Sequence, residues 1–291
     1  MMERKFIVAF SLLLIGCSTE VNTGWTRFPD WVIIPGGTFV FGSNDGEEDQ
    51  RPELVMSIDS FYLSATEITN RQFERFVEET NYITSAERNG GGMVYIDEWS
   101  FVEEANWKHP LGAKSSIDSL MDHPVVLVSH KDALAYCEWA GAYLPTEVEW
   151  EFAATSGRAL LGNKNTWTGS FPFNNTQTDG FLYTAPVDQY SPDSLGCYNL
   201  LGNVWEWCAD SYNYEIHDKW FLKETIEQSV YLGRSFDPRK ASLDDTLRVI
   251  KGGSFMCHAS YCKGYIPTSR QSAEENEAYF HIGFRVAKAL K

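Results

Sequence analysis

The residues best equipped for chemistry in this chain lie near its C-terminal end, in Lys251-Gly252-Gly253-Ser254-Phe255-Met256-Cys257-His258-Ala259-Ser260-Tyr261-Cys262. A Gly-Gly pair gives the backbone freedom just before a stretch that holds two thiols, a histidine, two serines and a tyrosine. The Cys-x4-Cys spacing is too long for a redox Cys-x-x-Cys, and it lacks the second pair of a structural zinc site. Two thiolates with no further ligand nearby suit a soft ion of low coordination number, such as Cu(I), better than zinc. A disulfide is the competing reading, and spacing alone favours it in an oxidising compartment.

The N-terminus reads as a targeting segment. Arg4 and Lys5 precede an apolar run, Phe6 to Ile15, too short for a membrane-spanning helix. The run ends in Leu14-Ile15-Gly16-Cys17, which resembles a bacterial lipoprotein signal. Cleavage before Cys17 and lipidation of its sulfur are therefore expected. Residues 1–16 are the signal, 17–29 a linker, and 30–291 a single domain. The expected location is extracytoplasmic, periplasmic or at the cell surface, held to a bacterial membrane by lipid rather than by a helix.

Of 291 residues, 43% are hydrophobic, enough for a sizeable core and against global disorder. A net charge of −16 provides no field to attract phosphates and excludes a nucleic-acid partner. Ten tryptophans and 22 glycines suggest a loop-rich fold in which aromatic side chains anchor irregular segments. Six cysteines are present, and lipidation of Cys17 leaves an odd number, so not all can pair within the chain. Cys137 is expected as a buried free thiol; a Cys197–Cys208 bridge stays open.

Trp31 to Phe41 reads as two strand pieces around Pro35-Gly36-Gly37, and Asn44 to Glu53 as an acidic loop. A strand at Phe61 to Leu63 precedes a helix capped by Asn70, with Phe73, Phe76 and Val77 as its apolar stripe. Ser129 with Asp132 caps a second helix, whose apolar face includes Leu134, Cys137 and Trp139 or Ala140. Thr146 and Glu149 form the capping box of a third, which stops at Gly157. Little helical periodicity follows, and Ser211 to Thr246 is a polar, charged insertion.

From Ile34-Pro35-Gly36-Gly37-Thr38-Phe39 to Ile282-Gly283-Phe284-Arg285 the chain resembles the formylglycine-generating enzymes, or sulfatase-modifying factors. Glu67-Ile68-Thr69-Asn70, His123-Pro124-Val125-Val126, Leu144-Pro145-Thr146-Glu147-Val148-Glu149-Trp150-Glu151, Thr184-Ala185-Pro186-Val187 and Gly202-Asn203-Val204-Trp205-Glu206-Trp207 carry the match. The discriminating block is the one around Cys257 and Cys262, a pair that many non-catalytic relatives lack. The resemblance implies an α+β, loop-rich fold of small antiparallel sheets and few helices, related to C-type lectins. It implies oxidation by O2 of the cysteine in an unfolded Cys-x-Pro-x-Arg segment of a sulfatase to Cα-formylglycine. It also reverses the reading of the thiols: Cys257 and Cys262 hold Cu(I), and the substrate thiol joins as a third sulfur. Ser254, Tyr261 and His258 become candidate catalytic groups, Trp205 a pocket-shaping aromatic, and Arg270 a clamp for a substrate carboxylate or backbone.

Two Ca2+ sites are implied as well, one from Asn165, Thr166, Asp179 and Phe181, the other from Asn199, Gly202, Val204 and Glu206. Mixed carboxylate, amide and carbonyl oxygens suit that ion, although asparagine and aspartate in glycine-rich loops ordinarily make turns. The chain departs from the family pattern at Ala259, where a larger or charged residue is frequent, at Val286, where some eukaryotic members have a cysteine, and at His281, where asparagine is common. Two other functions compete. A non-catalytic binding or structural lipoprotein of the same fold typically loses the cysteine pair. A non-haem-iron enzyme forming C–S bonds carries a three-histidine motif on an extra domain, whereas His109, His123, His130, His217, His258 and His281 are scattered.

Overall fold

The computed structural model describes residues 29–157, 164–215 and 246–290. The expected signal segment and lipidation site Cys17, nearly all of the expected linker and most of the polar insertion lie outside the described residues.

The predicted strand pieces around Pro35 are β1 (Trp31–Ile34) and β2 (Gly37–Phe41). They do not pair with each other. The intervening turn sends β2 onto β3 (Leu54–Ile58), while β1 joins β4 (Phe61–Ser64). Helix α1 (Asn70–Thr80) starts one residue earlier than the sequence suggests. Thr69 is the cap, in reciprocal bonds with Gln72, and the Asn70 amide instead donates to the Leu120 carbonyl at 2.7 Å. A short α2 (Ser85–Asn89) and the hairpin of β5 (Gly91–Tyr95) and β6 (Trp99–Glu103) follow, none of them expected from the sequence.

Helices α3 (His130–Ala140) and α4 (Glu147–Ser156) carry the capping boxes predicted at Ser129–Asp132 and Thr146–Glu149. The buried face of α3 is Ala133, Tyr136, Cys137 and Ala140, whereas Leu134 is turned outward. Gly157 ends α4 in a right-handed conformation, so no left-handed cap is needed there. Beyond it come a two-residue ribbon of β7 (Gly169–Ser170) and β8 (Asn174–Asn175), then β9 (Trp205–Ser211), β10 (Leu247–Lys251), β11 (Arg270–Glu274), β12 (Ile282–Gly283) and β13 (Ala287–Ala289).

Two sheets organise the molecule: β1-β4-β13, antiparallel throughout, and β11-β10-β9-β12, in which β12 runs parallel to β9. The α+β class with small sheets and few helices is as expected. The main core joins Phe73 and Phe76 of α1, Tyr136 and Cys137 of α3, Trp205 and Trp207 of β9, and Phe284. The rings of Phe73, Tyr136 and Phe284 meet at centroid distances of 5.3 to 6.4 Å, a geometry favoured by aromatic quadrupoles. Cys137 and Val286 lie in this same core, which fits a buried thiol without a disulfide partner. Cys197 and Cys208 are also free thiols.

Three buried ion pairs pin the sheet β11-β10-β9-β12 to its surroundings. Arg285 donates to both oxygens of Glu206 at 2.6 and 2.7 Å. Arg270 does the same to Glu147 at 2.7 and 2.9 Å. Lys251 reaches Glu151 at 2.8 Å. Each charge so buried needs such a partner, because an unpaired one would cost several kcal/mol.

Candidate active site

The thiol-bearing loop leaves the sheet at the end of β10. Gly252 and Gly253 take φ of 93° and 74°, the left-handed region closed to most side chains. There is no room for a side chain either: a Cβ on Gly253 would lie 2.6 Å from the Tyr265 amide nitrogen. The two glycines thus turn the chain sharply and let residues 253 and 264 touch, closing the loop so that its two cysteines face each other.

Cys257 and Cys262 are brought together as unjoined thiols with their sulfurs 2.6 Å apart. Cys257 is buried, while Cys262 is half-buried. The Cys257 thiol is held well above its ordinary value by its hydrogen bond to Cys262 and by burial. Cys262 is pushed the other way, because it accepts from Cys257 and from the Gly264 amide, at 3.4 Å in the latter case. Of the two, the more accessible sulfur is therefore the one that gives up its proton more readily. A low-pKa, accessible thiolate is the reactive form of cysteine.

The other candidates ring this pair. Trp205 lies in the same apolar cluster as both cysteines, and its indole packs against Gly264. Ser254 is fully buried, and its hydroxyl accepts from the Met256 amide at 3.3 Å, so it shapes the turn. His258 Nδ1 is engaged by the Ser260 hydroxyl at 2.7 Å. Tyr261 is 66% exposed and stacks on Phe171 with centroids 4.4 Å apart. Arg270 is not brought into this group. Its guanidinium is buried against Glu147 and the Asn213 carbonyl, so it stabilises the β11 end of the sheet and has no face left for a substrate.

Residues 18–290 match the Sulfatase-modifying factor enzyme 1-like domain. The chain belongs to that family. It is 38% identical to the formylglycine-generating enzyme of Mus musculus over 88% of this chain and 74% of the relative. It is 39% identical to that of Thermomonospora curvata, over 88% of this chain and 92% of the relative. The family also includes the inactive C-alpha-formylglycine-generating enzyme 2 of Mus musculus, 36% identical over 69% of this chain and 75% of the relative. Among solved structures, PvdO from Pseudomonas aeruginosa superposes with a TM-score of 0.68 at 20% identity, covering 91% of this chain and 96% of its own, and shows the shared fold.

A soft monovalent copper ion fits the donor chemistry of Cys257 and Cys262.

The two sets of residues that a calcium reading requires behave differently. Thr166 and Asp179 of the first, and Asn199 of the second, line one cleft of about 680 Å3. Asp179 Oδ1 accepts from the Phe181 amide at 3.2 Å, and Oδ2 is buried with no partner among the described residues. Asn165 is buried, its amide nitrogen donating to the Tyr183 carbonyl at 2.7 Å. An orphaned, buried carboxylate oxygen fits a hard cation. The Tyr190 hydroxyl and Asp193 Oδ2, which line the same cleft, are likewise buried without partners among the described residues. No local pattern marks them in the sequence, because they converge only in the fold.

The second set does not fit through Glu206. Both its oxygens are taken by Arg285, and Oε2 also accepts from the Trp150 indole at 2.8 Å. Asn199 donates to Glu67 at 3.2 Å and to the Val187 carbonyl at 2.9 Å, while Gly202 and Val204 are buried in the turn that leads into β9. Glu67 completes this group, and burial pushes its carboxyl up to about 7, against the pull of Arg285.

Proposed function

We propose that this protein converts the cysteine of a Cys-x-Pro-x-Arg segment in a target sulfatase to Cα-formylglycine, using O2 and a copper(I) ion held by Cys257 and Cys262. The observation that carries the reading is the unjoined pair of facing thiols in a loop built by Gly252 and Gly253, in a chain similar to formylglycine-generating enzymes along most of its length. Relatives without catalytic activity typically lose that pair, which favours an enzyme over a binding module.

Copper(I), when bound, supplies a soft centre at which a third sulfur and O2 can meet. The protein residues do the rest. Cys262 would offer the accessible ligand and Cys257 the buried one, and binding the ion would release their thiol protons to solvent. Trp205 walls the loop from below and keeps bulk water from that side. Tyr261, exposed beside Cys262, is positioned to meet the incoming segment. The decisive experiment is incubation of the purified protein with Cu(I), O2 and a Cys-x-Pro-x-Arg peptide, followed by mass spectrometry. Aldehyde formation is expected, and an unchanged peptide overturns the proposal.

Calcium at the Asp179 cleft belongs to the same proposal. A bound ion stabilises the native state by mass action, by about 2.7 kcal/mol at a hundred times its dissociation constant. Chelation should therefore lower the melting temperature of the wild type and leave Asp179→Asn unmoved; equal curves for the wild type with and without chelator would remove calcium from the account. Lipid attachment at Cys17 completes the proposal and keeps the enzyme outside the cytoplasm. Cys17→Ser should shift the protein out of the membrane fraction.

A further inference from the structure

The two cysteines are held by different means. Cys262 is fixed from within its own loop, its amide donating to the His258 carbonyl at 2.8 Å. The segment that carries Cys257 is also gripped from outside. The Gly202 amide donates to the Gly252 carbonyl at 2.8 Å, and the Phe255 amide donates to the Asn203 carbonyl at 2.8 Å. The turn before β9 thus holds the thiol loop where it leaves β10. A third anchor comes from the Trp167 amide, which donates to the Cys257 carbonyl at 3.1 Å.

Asn203 ties these anchors to one another. Its main-chain amide donates to the Asn165 carbonyl at 2.8 Å, two residues before Trp167. Its side-chain Oδ1 accepts from the Ala185 amide at 2.8 Å and from Asn165 Nδ2 at 3.1 Å. Its Nδ2 donates to Glu67 at 2.8 Å and to the Ala185 carbonyl at 3.3 Å. The Ala185 amide and the Glu67 carboxyl fix which way the side chain points. Asn203 has no exposure, and its φ is 63°. A left-handed turn accounts for an asparagine backbone here. It does not account for a side chain that uses both donors and accepts twice, which is the behaviour of a group that locks four segments in one arrangement.

We propose that Asn203 is a positioning residue for the thiol pair. It clamps the 202–203 turn to the 165–167 segment, and the two together set where Cys257 stands against Cys262. It acts through the Phe255 amide and, by way of Asn165, through the bond between Trp167 and Cys257. The inference rests on the proposed function only for the use made of the pair. Cys262 lies on an irregular, half-exposed loop, so the sulfur–sulfur approach of 2.6 Å depends on Cys257 being held still. Loosening the clamp should open the loop locally before it unfolds the domain.

The test uses the full chain, well below each variant's melting temperature. Asn203→Asp keeps the size and the acceptor oxygens but sets a carboxylate against Glu67. Adding Glu67→Gln restores that bond with its polarity reversed and leaves the charge of the two positions unchanged. Asn203→Asp should bind Cu(I) about tenfold more weakly, the equivalent of 1.4 kcal/mol, read by competition with a chromophoric chelator. With no metal added, its Cys262 should react with iodoacetamide at least about threefold faster, located by mass spectrometry. The double variant should return to within about twofold of wild type in both readouts. Asn203→Gly keeps the left-handed backbone and the two main-chain bonds without the side chain. It should move in the same direction as Asn203→Asp, and it decides the matter where Asn203→Asp does not fold. Lower melting temperatures with wild-type Cu(I) affinity and wild-type alkylation would reduce Asn203 to a structural residue and overturn the proposal. A double variant that recovers neither readout overturns it as well. If the wild type takes up no Cu(I), the copper reading falls, and alkylation decides for Asn203 alone: faster in the single variant and restored in the double supports the clamp, and an unchanged rate removes it.

Discussion

Arg285 and Cys262 are both reactive or charged side chains near one sheet, and the fold treats them in opposite ways. Arg285 has no exposure and spends its donors on Glu206, on the Tyr198 carbonyl at 2.8 Å and, at longer range, on the Ser64 and Ala65 carbonyls. It ties β9 to β4 and to the loop before β9. Cys262 has a single side-chain partner among the described residues, Cys257, and lies half in solvent on a loop without helix or strand. One region holds charge by saturating it. The other keeps a sulfur available by withholding side-chain partners. The difference teaches where function lies: a buried ion pair is a structural device, whereas a half-exposed thiol on an irregular loop is free to take a ligand.

The comparison is broken most completely at the thiols. Cys257→Ser and Cys262→Ser should each abolish peptide oxidation and weaken Cu(I) binding by orders of magnitude, since a two-sulfur site loses half its ligands. Stability should hardly move for Cys262→Ser, within about 1 kcal/mol, because the side chain is half-exposed. A purely bridging role for the pair predicts the reverse, with lower stability in both variants and residual oxidation. Assays of aldehyde formation beside melting curves decide between the two.

The second break reverses the pattern. Glu206→Gln leaves Arg285 buried and unpaired, and should cost about 3–5 kcal/mol of stability. The cost should appear equally with calcium present and with calcium chelated, because Glu206 serves Arg285 and not a metal. A loss seen only with calcium would restore Glu206 as a cation ligand. Where the variant still folds at low temperature, Cu(I) binding by the two cysteines should persist.

What the sequence could reveal follows the same division. The Ser129–Asp132 and Thr146–Glu149 boxes are legible because both partners lie within one helical turn. So is the thiol loop, whose glycines and cysteines are neighbours in the chain. The Thr84–Glu87 box of α2 is equally local, but it opens a helix of five residues with no apolar stripe to announce it. The outward turn of Leu134 depends on which side of α3 meets Phe73 and Phe284, a fact of packing rather than of periodicity. The partnership of Arg285 with Glu206 spans 79 residues, and that of Arg270 with Glu147 spans 123. Resemblance offered Arg270 as a substrate clamp and Glu206 as a metal ligand; only the fold shows that each is already taken by the other side of the molecule.

A third, smaller effect concerns pH. Asp210 is fully buried on β9 and accepts from the Glu147 amide at 2.6 Å. Burial, with the nearby Glu147 charge, pushes its carboxyl up to about 7. An aspartate in the unfolded chain titrates near 3.9, so between roughly pH 4 and pH 7 the folded state binds the extra proton. Stability from this group is thus fully present below the unfolded value and is lost as pH rises through about 7. Asp210→Asn keeps an acceptor oxygen for Glu147 and carries no titrating proton. It should remove a decline on the order of a few kcal/mol across that window, read as the difference between wild-type and variant denaturation curves at pH 5 and pH 8. Parallel curves would mean that Asp210 stays ionised in the fold.

The smallest effect comes from the thiol that resembles the reactive pair in type alone. Cys137 is 3% exposed within the main core, packed among α1, α3 and Phe284, and burial alone drives its thiol well above the ordinary range. It is therefore a neutral, apolar filler at any pH the protein meets. Cys137→Ala removes one sulfur from a close-packed site and should cost about 1 kcal/mol, the scale of a small cavity. Cu(I) affinity and peptide oxidation should match the wild type. The same element in two places is then separated by environment: a sulfur packed with Phe73, Tyr136 and Phe284 in the main core contributes volume, whereas one bonded by Cys257 and the Gly264 amide, with an open face, contributes a ligand. A drop in Cu(I) binding on Cys137→Ala would collapse that distinction, since it would show that the core thiol reaches the reactive loop through a rearrangement the folded structure does not contain.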